Sequence, residues 1–125
     1  SYVHGSNLTD GLPLNFMPPL NGRHTLSYAH RENANGTSWS AQVTHRYVAR
    51  QGHWDPSLDL TPPPPAYHLF EAQMKLTLNR WKNKPELRLA LHNALNTPYR
   101  DYLNRLRYFS DDMGRNISLS WVQNF

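Results

Sequence analysis

Cysteine is absent from the 125 residues. Disulfides and thiolate metal sites are therefore excluded. No run approaches the ~18 apolar residues of a membrane helix. That absence leaves membrane strands open, because each needs only ~9–11 residues. Long aliphatic stretches are missing too, and only 38% of the chain is hydrophobic. The net charge is +4, yet the basic residues form no run, which argues against a nucleic-acid partner. Seven histidines are present, but none is spaced as a ligand pair beside a carboxylate cluster, so neither a metal site nor a cofactor is expected. Serine, histidine and aspartate occur without any motif that would assemble them, so the reading is not an enzyme. No signal peptide is visible in these residues, which do not begin with Met. "SYVHGS" opens as though a strand were already under way, and implies a piece of a larger protein.

Aromatics are plentiful, with four Trp, seven Tyr and four Phe, and so are the 10 prolines. The side chains alternate. In the last twelve residues, "GRNISLSWVQNF", Ile117, Leu119, Trp121 and Phe125 share one parity and Asn116, Ser118 and Ser120 the other. Successive strand side chains point to opposite faces, so this is a strand with one apolar and one polar side. "FEAQMKLTLNRW" sets Phe70, Ala72, Met74, Leu76 and Leu78 against Glu71, Gln73, Lys75, Thr77 and Asn79. "WSAQVTHRYVAR" sets Trp39, Ala41, Val43, His45 and Tyr47 against Ser40, Gln42, Thr44 and Arg46. "ELRLALHNAL" alternates through Leu87, Leu89 and Leu91, although Leu87, Leu91 and Leu95 also fit a helix. The "KNKP" turn before it favours the strand. "HTLSYAH" is a weaker strand, and "SYVH" would end a sixth.

These strands follow one another as an antiparallel meander of about six. The connections alternate in length. Glu32–Ser38 and Lys82–Pro85 are short, whereas Asn7–Gly22, Gly52–His68 and Asn96–Met113 are long. Short turns at one end and long loops at the other are the pattern of an outer-membrane barrel. The proline tracts "LPLNFMPPL" and "TPPPPAYH" fall in the long connections, where a missing backbone donor is harmless.

Four stretches, in order, resemble the carboxy-terminal part of TonB-dependent outer-membrane receptors. "DGLPLNFMPPLNGRHTLSY" resembles the family's proline-rich lead into a strand. "AYHLFEAQMKLTL" resembles its aromatic-led strand. "LALHNALNTPYRDYL" is similar to the strand that ends in an asparagine-rich turn. "GRNISLSWVQNF" resembles the terminal strand with its final Phe. The resemblance implies that residues 1–125 are a carboxy-terminal segment of a barrel of about 22 antiparallel strands. The plug domain and the earlier strands have no counterpart in this sequence. The implied function is import of a scarce ligand (an iron chelate, haem, a cobalamin or a glycan) across the outer membrane of a Gram-negative-type bacterium. Energy would reach the plug through TonB, which acts on the missing amino-terminal part. The implied partners are outer-membrane lipid, the barrel-assembly machinery and the rest of the receptor.

The resemblance also assigns candidate residues. Leu119, Trp121 and Phe125 would form the assembly signal. His53, Trp54, Tyr99, Arg105, Arg107 and Tyr108 are the candidate ligand contacts on outer loops. The bland alternative for the last loop is internal packing, with a short helical turn burying Leu103 and Leu106. Trp81, Trp121 and Phe125 are expected at one aromatic rim, and Tyr67 and Tyr99 at the other. The competing fold is a soluble all-β carbohydrate- or ligand-binding module, which would seal its apolar side chains between two sheets.

Overall fold

The computed structural model describes the chain except for Asp10, Asn15, Glu32–Asn35 and Asn124–Phe125. Five strands form one antiparallel sheet in sequence order: β1 Asn21–His30, β2 Thr37–Val48, β3 Tyr67–Leu78, β4 Glu86–His92 and β5 Asn116–Val122. The alternation in "ELRLALH" therefore resolves as strand. The expected sixth strand is not there. Ser1–His4 lies outside any strand; that region is held by an isolated Ser6–Pro13 bridge and by the reciprocal bonds of Ser1 with Asn21, N–H to O, at 2.6 and 3.0 Å. "SYVH" is too short to express a pattern, and its neighbours Gly5 and Pro13 favour a loop.

Register turns the alternation of each strand into rows that cross the sheet. Leu26, Val43, Ala72, Leu91 and Ile117 form one row. Tyr28, Ala41, Met74, Leu89 and Leu119 form the next. His30, Trp39, Leu76, Leu87 and Trp121 form a third. A slip of one residue in any pair would break all three rows, so the pattern itself selects the register. The opposite face carries Ser27, Gln42, Gln73, Ala90 and Ser118, then Ala29, Ser40, Lys75, Arg88 and Ser120.

The apolar face is uncovered. Leu26 is 79% exposed, Leu119 68% and Ile117 67%, and no second layer packs on them among the described residues. Water would leave such a surface strongly disfavoured, at about 25 cal/mol for each Å². The polar face, by contrast, curves around a hollow of about 650 Å³ lined by Ser40, Gln42, Gln73, Lys75, Arg88 and Ser118. The sheet is thus concave on its wet side and convex on its apolar side. Along β3 the apolar face runs from Phe70 to Leu78, which is about 27 Å of strand at ~3.4 Å per residue.

The connections segregate as expected. Residues 79–85 make a tight turn, with Leu78 N–H donating to Pro85 O (3.0 Å) and Lys84 N–H to Trp81 O (3.0 Å). Asn83 and Lys84 hold left-handed backbone at φ 67 and 42, and Pro85 is fully buried. Asn79 N–H donates to Gly36 O (2.8 Å), tying this turn to the end of the β1–β2 connection. The expected hairpin turn in "NANGTS" falls mostly on Glu32–Asn35, outside the described residues. Long connections span residues 49–66 and 93–115, at the other end of the sheet.

Candidate functional site

The densest packing lies where the long connections fold over the concave face. Val48, Tyr67 and Leu69 form a small buried cluster, and Tyr99 packs on it. These strand residues share parity with Arg46 and Gln73, so they point to the wet side. They are buried because the 93–115 loop covers them. Asp101 is the clasp. Its carboxylate accepts from Arg46 Nη2 (3.3 Å) and from the Tyr67 hydroxyl (3.2 Å).

Within the loop, polar side chains replace secondary structure as backbone partners. Asn93 Nδ2 donates to Thr97 O (2.9 Å), and Thr97 N–H returns to Asn93 Oδ1 (2.9 Å). The Asp112 carboxylate accepts from Asp101 N–H (2.7 Å) and from Asn104 Nδ2 (2.7 Å). Asn104 then caps a one-turn 3-10 helix, Arg105–Tyr108, through Leu106 N–H. Asp111 pairs with Arg100 (2.6 Å). The Asp111–Asp112 pair thus organises the loop.

The helical turn is present, but its buried residues are not the expected ones. Leu103 and Leu106 are exposed, whereas Tyr102 and Arg107 face inward. The physical reason is Asp59, which sits inside the 49–66 loop. Arg107 Nη2 reaches both Asp59 oxygens, at 2.6 and 2.5 Å, and the Tyr108 hydroxyl donates to Oδ1 at 2.7 Å. The guanidinium also lies 4.7 Å from the Tyr102 ring and 4.6 Å from that of Tyr108, within cation–π range. A charge network of this strength dictates which side of a four-residue turn points inward. Burial pushes the Asp59 carboxyl up, but the Tyr108 hydrogen bond and the Arg107 charge together hold it below its usual value. Burial raises the Tyr99 and Tyr102 hydroxyls, assisted by neighbouring aspartates.

The candidate ligand contacts therefore separate. Arg107 and Tyr108 hold the two loops together through Asp59. Tyr99 packs on Tyr67 at 4.8 Å. Arg105 and His53 are exposed and Trp54 is half-buried; His53 meets His4 edge-on at 5.2 Å. Tyr67 and Tyr99 lie on the concave, loop-covered side, so they do not form the rim expected of them. The outward aromatics at that end are Tyr47 and Phe70, with His24, His45 and His68 beside them.

At the short-turn end, Trp81 and Trp121 approach at 6.4 Å. β3 stops at Leu78, so Trp81 is freed from strand parity and swings to the apolar side. Of the candidate assembly signal, Leu119 and Trp121 are exposed on the apolar face of β5. Phe125 lies outside the described residues.

On the concave face, Glu86 at the short-turn end of β4 is shared by Lys75 (3.5 Å) and Arg88 (2.5 Å), and at the other end of β4 His92 lies 3.8 Å from Glu71. No group of three or more histidine, aspartate or glutamate side chains able to hold a metal occurs among the described residues. No helix among them is long and apolar enough to cross a membrane. Comparison with protein-family models, curated proteins and solved structures finds no match to the chain.

Proposed function

We propose that this chain is a wall segment from the carboxy-terminal part of a TonB-dependent outer-membrane receptor. The whole receptor would import a scarce ligand with energy relayed through TonB. In this reading the convex face meets lipid, the concave face lines the lumen, and the long loops stand on the outer side. The observation that carries it is the direction of curvature. An apolar convex face and a polar concave hollow suit a sheet that closes around water inside hydrocarbon. A soluble sandwich needs the reverse, with the apolar face covered by a second sheet. His53, Trp54 and Arg105 are the loop residues best placed to meet an incoming ligand, because Arg107 and Tyr108 are committed to Asp59.

The absence of cysteine makes the test direct. Single cysteines at Leu89 and Leu119, and at Gln73 and Ser118, are introduced and the protein is folded into lipid vesicles. A water-soluble maleimide should label positions 73 and 118 and spare 89 and 119. Equal labelling of all four in vesicles would overturn the reading.

A further inference from the structure

Three histidines from three strands meet on the convex face, just beyond the apolar rows. His24 of β1 lies directly opposite His45 of β2. His68 of β3 is diagonal to His45, whose direct partner is Phe70. The His24 and His45 rings are 5.9 Å apart and 14° from parallel. The His45 and His68 rings are 5.2 Å apart and 6° from parallel. His45 Nε2 and His68 Nδ1 approach to 2.9 Å.

We propose that His45 and His68 form a two-histidine site for a divalent first-row transition metal such as Ni²⁺, Cu²⁺ or Zn²⁺. Two nitrogens bound side by side at ~2.0–2.1 Å and a right angle stand about 2.9 Å apart, so the pair already has the separation of a chelate. The right-angled pair belongs to square-planar or octahedral coordination, which favours Cu²⁺ and Ni²⁺ over tetrahedral Zn²⁺. At present one nitrogen donates its proton to the other. Metal binding needs both nitrogens bare, so each ring carries its proton on the distal atom, Nδ1 of His45 and Nε2 of His68. Moving the shared proton to the distal nitrogen is a tautomer change, so the proton count balances. Rotation about χ1 and χ2 re-aims each lone pair at the ion. His68 is exposed and His45 half-buried, and their ring neighbours Tyr47 and Phe70, at 4.8 and 4.7 Å, shift with them. No third ligand group joins the pair among the described residues, so water fills the remaining positions. His24 stacks beside His45 without converging on the shared point, and serves as the internal control.

The test is calorimetric titration of the folded protein in detergent with NiCl₂, CuCl₂ and ZnCl₂, together with NMR of the histidine ring protons. One ion per chain is expected, with the His45 and His68 ring signals perturbed first. His45→Asn and His68→Asn should each weaken binding by about tenfold or more, the scale of losing a group that supports coordination. His24→Asn should leave it nearly unchanged, and circular dichroism of all three variants should match the parent. No binding by the parent protein, or binding that survives both substitutions in folded protein, would refute the site. The proposal stands on the register of β2 and β3, and His68, second in its strand, lies at the loop end of that face, where water completes the coordination.

Discussion

Arg107 and Asp59 stand 48 residues apart in sequence, yet their side chains are 1% and 0% exposed against one another. They join the 93–115 loop to the 49–66 loop. Removing one partner from a buried ion pair leaves the other charge stranded, which typically costs ~3–5 kcal/mol. Asp59→Ala and Arg107→Ala should each release both loops by about that amount. Hydrogen exchange in residues 49–66 and 93–115 measures it directly. The double substitution Asp59→Leu with Arg107→Met should recover much of the loss, because it leaves no charge buried.

The same pair sets an acid limit. The Asp59 carboxyl is held below its usual value in the folded loops. A depressed carboxyl stabilises the fold above its unfolded pKa of ~3.9, and that stability drains away as pH falls through the lower, folded value. Loop protection should therefore be flat from pH 7 to pH 5 and fail only below about pH 4. Exchange protection already lost at pH 5 would show that Asp59 does not govern the latch.

A charge on the convex face should behave unlike one in the hollow. Leu89→Arg places a guanidinium in the middle apolar row and should cost ~2–4 kcal/mol when the protein is folded in a bilayer. Gln73→Arg adds the same charge beside Lys75 and Arg88 on the concave side and should cost well under half of that. Reversible urea unfolding in vesicles compares them. Equal costs would count against lipid contact.

The 79–85 turn holds a lysine where glycine fits better. Lys84 has φ 42, a conformation that strains any residue with a Cβ. Lys84→Gly should stabilise the β3–β4 hairpin by up to about 1 kcal/mol, after the entropy that glycine adds to the unfolded chain. Asn83→Val, at φ 67, should destabilise it, because a branched side chain tolerates this region least. The urea midpoints of the two variants should move in opposite directions.

What could be read from the residues was the sheet. Period-two alternation in β2, β3 and β5 is strong enough to fix their faces, and "KNKP" announces its own turn. Alternation also outweighed the helical spacing of Leu87, Leu91 and Leu95, because β4 is held between two strands that share its pattern. The loop cluster was not readable in the same way. Whether Leu106 or Arg107 turns inward depends on Asp59, and nothing local to either residue announces a partner 48 positions away. Histidines 24, 45 and 68 looked scattered for a related reason. Only the register of three strands places them in one line, and register is a property of pairs. Tyr67 is expected at a rim from its place at the end of its strand, but the loop that buries it is written elsewhere in the chain.

Each strand of the sheet is bonded only to those that precede and follow it in the chain. No strand has to await a distant partner, so the entropy of closing each pairing is that of a single connection. Construction can proceed like a zip, one hairpin after another, with every new strand templated by the exposed flank of the last. A sheet made this way is also modular: a hairpin inserted or deleted changes its width by two strands and leaves every remaining pairing intact.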